Sequence, residues 1–136
     1  KFVKFKNVFV IYKIMNKREV IFYDGGSMGP PESVQLLDNC EALILSGGAE
    51  YKIKLEEEKI LTFWQNIELI GVWNWKKKYP YVNPKYQPLL DGYSWELKLR
   101  NRSGRAKYCT GYDSFPRTFK KLLCELNNLF GSEIEI

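Results

Sequence analysis

The sequence contains no histidine among its 136 residues, and this absence excludes several classes of enzyme. Histidine is the side chain whose ordinary pKa lies near neutrality, so it is a common general acid or base and a common zinc ligand. A catalytic triad of serine, histidine and aspartate cannot form in this chain. We therefore expect no histidine-dependent hydrolase and no histidine-containing metal site.

Cysteine is also scarce, and long apolar runs are missing. Cys40, Cys109 and Cys124 are odd in number and far apart, which fits neither a disulfide framework nor a metal-ligand motif. We interpret all three as small, buried hydrophobic residues in a reducing compartment, which predicts a cytoplasmic protein. No run approaches 18 uncharged apolar residues, so we expect no membrane span. Lys13 interrupts the apolar run near the N-terminus, and no small-residue cleavage site follows Met15, which argues against a signal peptide.

The composition is that of a folded domain. Hydrophobic residues make up 45% of the chain and aromatic residues 15%, which excludes intrinsic disorder as a description of the whole. The length is typical of one domain, so we predict a single domain over residues 1–136. No repeat, low-complexity tract or long linker divides it.

Hydrophobic periodicity predicts strands followed by helices. Strands are expected at residues 8–14, 19–23, 33–37, 42–45, 51–55, 95–100 and 105–112, and helices at residues 56–72 and between Ser114 and Gly131. Turns are expected at Asn16-Lys17, Asp38-Asn39, Gly47-Gly48, Asp91-Gly92 and residues 101–104. The prolines at positions 80, 84 and 88 exclude a helix between the two halves of the chain. This order predicts an α+β fold, with an antiparallel sheet and two main helices packed on one face.

The two helices carry apolar stripes that we expect to face the core. In the first helix the stripe is Ile60, Trp64, Ile67 and Gly71. In the last helix it is Phe119, Leu122, Leu123, Leu126, Leu129 and Phe130. Ser114 is the candidate N-cap of the last helix, Pro116 fits its first turn, and Gly131 is the candidate C-cap.

One segment has the form of a serine nucleophile motif. Gly25-Gly-Ser-Met-Gly29 matches G-x-S-x-G after a strand, but Pro30-Pro31 follows where that motif requires a helix. We interpret the segment as a loop in which glycine supplies positive φ, and Ser27 as a residue of that loop. The glycines are not followed by lysine, so the segment is no phosphate-binding loop, and we expect no cofactor.

Carboxylates are the remaining acid–base candidates. Asp24, Asp38, Asp91 and Glu96 could contribute to a catalytic pair, but nothing in the sequence indicates which of them lie together. We therefore assign no catalytic residue and expect that the protein is not an enzyme.

Basic residues are concentrated in the second half of the chain. Residues 1–72 hold 9 basic and 10 acidic side chains, whereas residues 73–136 hold 12 basic and 6 acidic ones. The predicted hairpin near residue 102 carries many of them, and its candidate binding residues are Lys98, Arg100, Arg102, Arg105, Lys107 and Tyr93. Cations beside aromatic rings are how single-stranded nucleic acid is bound, but strand alternation also places charge on any solvated sheet face.

The second half resembles a family of small bacterial domains. The shared residues are Asp91-Gly92-x-x-Trp95-x-Leu97, then Gly104, Gly111-Tyr112 and Phe115-Pro116-x-x-Phe119-x-x-Leu122, preceded by Trp73-x-Trp75. Asp113 stands where the family pattern has asparagine. The resemblance implies a fold, with a strand, a hairpin and a final amphipathic helix, and it implies no particular function.

The whole layout is more distantly similar to emfourin-like proteins, which are small inhibitors of metalloproteases. The shared features are a strand that ends at Gly25-Gly26, a helix near residues 56–72, a hairpin and a last helix. This resemblance implies a role in binding another protein.

Two functions from different classes follow. The leading prediction is a non-enzymatic protein-binding module, such as an immunity-type protein or an inhibitor, because the chain is small, rich in aromatic residues and poor in catalytic groups. Trp, Tyr and Arg are the residues that most often anchor protein interfaces. The alternative is a nucleic-acid-binding accessory protein that uses the basic hairpin. We expect no membrane partner, and the sequence leaves the oligomeric state open.

Overall fold

The computed structural model of this chain describes residues 18–79 and 92–136. Several sequence-based predictions lie outside these residues: the strand at 8–14, the turn at Asn16-Lys17, the proline-containing segment, and Asp91 with its turn.

The described residues form a seven-stranded sheet with two helices. The strands are β1 (Val20–Gly26), β2 (Glu32–Leu36), β3 (Glu41–Ser46), β4 (Ala49–Lys54), β5 (Lys78–Tyr79), β6 (Ser94–Arg100) and β7 (Ala106–Tyr112). The helices are α1 (Glu57–Leu69), between β4 and β5, and α2 (Phe119–Phe130), after β7; short 3-10 turns occupy Asp38–Cys40 and Val72–Asn74. The strand order is β4-β3-β2-β1-β6-β7-β5, and every neighbouring pair is antiparallel except β5 and β7. This architecture confirms the predicted α+β class.

Strand alternation gives the sheet two different faces. Ile21 and Tyr23 of β1 are buried against the helices, so Phe22 and Asp24 lie on the opposite face. In β6, Trp95, Leu97 and Leu99 are buried in the same way, which places Glu96, Lys98 and Arg100 on the opposite face as well. No described helix or strand covers that second face, which is called the open face below.

Helix α2 packs its predicted stripe onto the centre of the sheet. All six stripe residues are buried. The Phe119 ring lies 4.7 Å from the Trp95 ring and 6.2 Å from the Tyr23 ring, measured between centroids. The helix ends at Gly131, whose φ of 68° is the left-handed conformation expected of a C-cap glycine.

Helix α1 lies beside α2 on the same face. Its buried residues are Ile60, Phe63 and Ile67, and the Asn66 amide donates a 2.8 Å hydrogen bond to the Glu125 carboxylate of α2. The predicted stripe omitted Phe63 and wrongly included Gly71, which lies beyond the helix with φ of 76°.

The start of α2 differs from the prediction. Thr118, and not Ser114, occupies the N-cap position. The Ser114 carbonyl instead accepts a 2.9 Å hydrogen bond from the Trp95 indole, and Asp113 adopts a positive φ of 49°. The chain therefore crosses over Trp95 before it can begin a helix.

The three cysteines are free but not equally buried. Cys109 of β7 is fully buried, as expected, and burial raises the pKa of its thiol. The prediction is wrong for Cys124, which is exposed on α2 because it lies outside the apolar stripe of that helix. Cys40 is half-buried, and its thiol donates a 3.4 Å hydrogen bond to Glu57.

In the described part of the chain, neither helix is both long and apolar enough to span a membrane.

Candidate functional site

The pairing of β6 with β7 divides the cations of the hairpin between the two faces of the sheet. Lys98 pairs with Tyr108, and Leu99 pairs with Lys107. Directly opposed residues share a face, so Lys107 lies on the helix side with the buried Leu99. Lys98 and Arg100 lie on the open face. The hairpin therefore does not gather its cations into one patch.

Two of these cations pair with acidic residues on the helix side. Arg102, at the hairpin tip, binds Glu57 at the start of α1 and also donates a 3.1 Å hydrogen bond to Glu19. Arg105 lies 3.7 Å from the Glu68 carboxylate and places its guanidinium 4.8 Å from the centroid of the Trp73 ring. The hydrogen bond from Arg102 is the main reason that the pKa of Glu57 is lowered. These contacts hold the hairpin against α1.

Lys98 is the centre of a row of side chains on the open face. Its ammonium group lies 5.5 Å from the centroids of both the Phe22 and the Tyr108 rings, a cation–π distance. It is also 3.9 Å from the Glu96 carboxylate. Tyr108 donates a 2.6 Å hydrogen bond to Glu96, which raises the pKa of the tyrosine. Two rings, a cation and an anion thus form one polar and aromatic cluster.

Tyr93 makes contacts within the fold and does not lie beside the hairpin cations. Its hydroxyl shares a 2.7 Å hydrogen bond with the hydroxyl of Tyr23, and its ring lies 5.9 Å from the Phe115 ring. Its backbone N–H donates to the Asp113 carboxylate at 2.6 Å, and burial raises the pKa of its phenol. The structure does not bring Tyr93 to the hairpin cations.

Asp24 and Glu96 are directly opposed across β1 and β6. The structure thus brings together two of the four carboxylates that the sequence suggested. They line an open groove of about 660 Å³. Its other lining residues come from the ends of β1, β6 and β7, the β1–β2 connection and β5, and include Ser27, Lys78, Tyr79, Thr110 and Tyr112.

The environment of Asp24 is unfavourable for a carboxylate. Burial raises the pKa of Asp24, and the charge of Glu96 raises it further. Its Oδ1 atom is enclosed by the protein and has no hydrogen-bond partner among the described residues. A buried polar atom without a partner destabilises the folded state, and such atoms are rare in proteins.

Arg100 is a second charged residue with a buried polar atom that lacks a hydrogen bond within the described chain. Its Nε atom is buried and also lacks a hydrogen-bond partner, and it forms no ion pair with a described residue. It lines a second shallow groove of about 580 Å³ together with Val20, Ala106 and Tyr108. Asp24 and Arg100 contain the two unpartnered buried side-chain atoms of the described chain, and both residues lie on the open face.

Two glycines shape the groove. Gly25 and Gly111 are the cross-strand neighbours of Trp95 on its two sides. A Cβ atom at Gly111 would lie 2.2 Å from the Trp95 indole nitrogen, and one at Gly25 would lie 2.3 Å from the Tyr93 hydroxyl. Both Gly25 and Gly26 belong to β1, and at Gly25 the Tyr93 and Tyr23 side chains leave no room for a Cβ atom. The prediction that this segment is a loop of positive φ is wrong for both and correct for Gly29, whose φ is 102°.

Ser27 lies on the surface just after β1 and is exposed. The next element is strand β2 and not a helix, so the segment lacks the geometry of a nucleophile motif. Within residues 18–79 and 92–136, no three or more carboxylates and cysteines are grouped closely enough to hold a metal ion.

The sequence does not show that the residues of the open face lie together. The strand that the sequence predicts ends at residue 23, and a residue outside a strand, such as Asp24, has no predicted face. Had β1 been extended through Gly26, alternation would have placed Asp24 on the same face as Phe22. The pairing of β1 with β6 joins positions 68 to 80 residues apart, and no local signal in the sequence indicates it.

Comparison of the chain with protein-family models, curated proteins and solved structures finds no match. The two resemblances described above therefore stay predictions.

Proposed function

We propose that this chain is a non-enzymatic protein-binding module and that the open face is its binding surface. The observation that carries this proposal is the placement of Asp24 and Arg100. The two buried side-chain atoms without partners in the described chain lie on the one sheet face that no described element covers.

The partner is a protein that offers complementary charges to this face. A basic side chain of the partner would enter the groove and bind Asp24 and Glu96, while an acidic or carbonyl oxygen would accept from Arg100. These contacts would satisfy Asp24 Oδ1 and Arg100 Nε, which have no hydrogen-bond partner among the described residues. Because Asp24 and Arg100 are four residues apart along adjacent strands, the two contacts would be separated by about 13 Å.

Apolar side chains between the charges would supply the rest of the interface. Phe22, Leu43 and Leu45 are half-buried on the open face, and Tyr108 is 52% exposed there. Aromatic anchors surrounded by polar groups are typical of protein interfaces. Inhibitors and immunity-type proteins use such a surface, and we assign this chain to that broad class. We place it in the cytoplasm, where unpaired cysteines are normal.

The carboxylate pair fits binding better than catalysis. A pair that works by acid–base chemistry needs both carboxylates, one to act as the acid and the other as the base. Glu96 accepts a hydrogen bond from Tyr108 and lies near Lys98, so its charge is already engaged. We therefore propose no reaction for this groove.

The test is affinity capture from a native lysate with two charge-swapped variants. Asp24→Lys combined with Arg100→Glu reverses the charges of these two residues and keeps the net charge. Lys121→Glu combined with Glu133→Lys is the matched control, because both residues are exposed and lie away from the open face. We expect the parent chain and the control to capture the same protein and the open-face variant to lose it. Equal capture by all three proteins would overturn the proposal.

A further inference from the structure

Strand β4 is an edge strand with an unusual pattern of charge. Among the described strands it pairs with β3 alone and ends the sheet on that side. Its sequence from Ala49 to Lys54 is Ala-Glu-Tyr-Lys-Ile-Lys, and every residue except Ile53 is exposed. Edge strands commonly carry lysine, which discourages pairing with other chains. Here Glu50 stands two residues from Lys52 on the same face, so the edge carries both signs.

The turn before β4 determines which backbone groups point away from the sheet. Gly47 and Gly48 form a two-residue loop with φ of 59° and 81°, between the paired residues Ser46 and Ala49. In such a hairpin the residues that flank the loop exchange hydrogen bonds, and the pattern then alternates along the strand. Ala49, Tyr51 and Ile53 therefore bond to β3. The N–H and C=O groups of Glu50, Lys52 and Lys54 point to the free edge.

We propose that β4 pairs antiparallel with β4 of a second copy of this chain, with Tyr51 on the twofold axis. In this register Glu50 lies opposite Lys52 of the other copy, and the symmetry repeats the pair. Each pair joins residues whose backbone groups point to the free edge, so each exchanges two main-chain hydrogen bonds and brings opposite charges together. The sheet continues from one protomer into the next.

The side chains of the other residues fit the same register. Tyr51, which is 48% exposed in the single chain, packs against its own symmetry mate in a pair without hydrogen bonds, where side chains approach most closely. Ala49 lies opposite Ile53, a small residue against a larger one.

The neighbouring antiparallel register is less favourable. Moving the second strand by two residues places Lys52 opposite Lys52, and like charges opposite one another destabilise a sheet. It pairs as many residues of the strand and places Glu50 opposite Lys54, so the two registers differ mainly in the contact between the two Lys52 side chains. The register centred on Tyr51 forms the two symmetry-related Glu50–Lys52 pairs and does not bring the two Lys52 side chains together.

The contact area of one strand pair is small, so the dimer is weak and depends on concentration. Sedimentation equilibrium measures it directly. The single variants Glu50→Lys and Lys52→Glu each turn both charge pairs into repulsive ones and should weaken dimerisation about tenfold or more. The double variant, which carries both changes, exchanges the two charges and should restore the parental affinity.

Disulfide capture tests the register. In a background with Cys40 and Cys124 replaced by serine, Tyr51→Cys should form a dimer disulfide readily, because its Cα atoms would be about 4.5 Å apart. Lys52→Cys is the control and should form it slowly, because Lys52 faces Glu50 in this register. A parent chain that stays monomeric up to about 1 mM would overturn the proposal. A double variant no tighter than the single ones, or faster capture at position 52, would contradict it equally.

Discussion

Asp24 shows how one residue links the stability of this chain to its proposed function. Its carboxylate lies opposite Glu96 and keeps one oxygen enclosed without a hydrogen bond. A group in this position weakens the isolated fold, so a folding role does not explain it. A partner that supplies a hydrogen-bond donor to this carboxylate would explain its presence. The effect of Asp24 on folding and its effect on binding are measured by separate experiments.

Asp24→Asn should stabilise the isolated chain at neutral pH. Because burial and Glu96 raise the pKa of Asp24 above 3.8, the folded state binds the proton more tightly than the unfolded state does. The charged carboxylate therefore lowers the free energy of unfolding at pH values above its folded pKa. The gain from the asparagine should shrink as the pH falls, and it should vanish below 3.8, where both states are protonated.

Urea unfolding of parent and variant across this pH range measures the difference. Glu133→Gln, at an exposed position, is the control and should change the unfolding free energy little at any pH. Destabilisation by Asp24→Asn at neutral pH would mean that the carboxylate is satisfied by the chain itself.

A second prediction concerns the packing of Trp95 against Gly111. The indole of Trp95 occupies the space that a side chain at position 111 would need. Gly111→Ala should therefore displace the ring, weaken its hydrogen bond to Ser114, and lower the free energy of unfolding by about 1–3 kcal/mol.

A double-mutant cycle tests whether the destabilisation comes from displacement of the Trp95 ring. Trp95→Phe removes the indole nitrogen nearest to the added methyl group, so the alanine should cost less in the phenylalanine background than in the parent. An equal loss in both backgrounds would show that the strain does not come from Trp95.

At the scale of elements, local patterns in the sequence predict individual strands and helices well. The alternation of Trp95, Leu97 and Leu99 predicts β6 and its buried face, and the stripe of α2 is buried in full. The errors arise where a long-range contact overrides local preference. Ser114 has the chemistry of an N-cap, but its carbonyl is bound to Trp95, and the helix begins only at Phe119.

The β6–β7 hairpin is the element on which the nucleic-acid alternative rests. Its cations are divided between two faces, and Arg102 and Arg105 pair with acidic residues of the same chain. We therefore expect only weak, non-specific binding of oligonucleotides, no tighter than about 1 µM at physiological salt.

Anisotropy titrations with single-stranded and duplex oligonucleotides at several salt concentrations test this expectation. Lys98→Glu with Arg100→Glu should leave the fold intact and should reduce the residual binding no more than the control, Lys120→Glu with Lys121→Glu, which changes the net charge equally. Nanomolar binding that only the hairpin variant abolishes would favour the nucleic-acid function over the protein-binding one.

At the scale of the whole molecule, the sequence predicts the α+β class but not the order of strands. The meander from β1 to β4 follows from turns such as Gly47-Gly48, which join strands that are adjacent in sequence. The pairing of β1 with β6 depends on packing across the whole chain. That pairing places Asp24 beside Glu96 and creates the groove, so the candidate site could not be predicted from local patterns.

The same pairing gives the molecule two unlike faces. One is filled by two helices, and the buried residues there form one continuous cluster. The other carries charged and aromatic side chains, with two enclosed polar atoms that the described chain leaves unsatisfied. We propose that a protein partner binds this second face.

Photo-cross-linking in the native host tests that claim most directly. A benzoylphenylalanine residue replaces either Tyr108, on the open face, or Leu69, which is 81% exposed on α1. We expect a cross-linked product heavier than two copies of this chain from position 108, and we expect its loss when Asp24→Lys and Arg100→Glu are added. Position 69 should give no such product. A heavy product from position 69 alone, or one from position 108 that survives both charge reversals, would contradict the proposal.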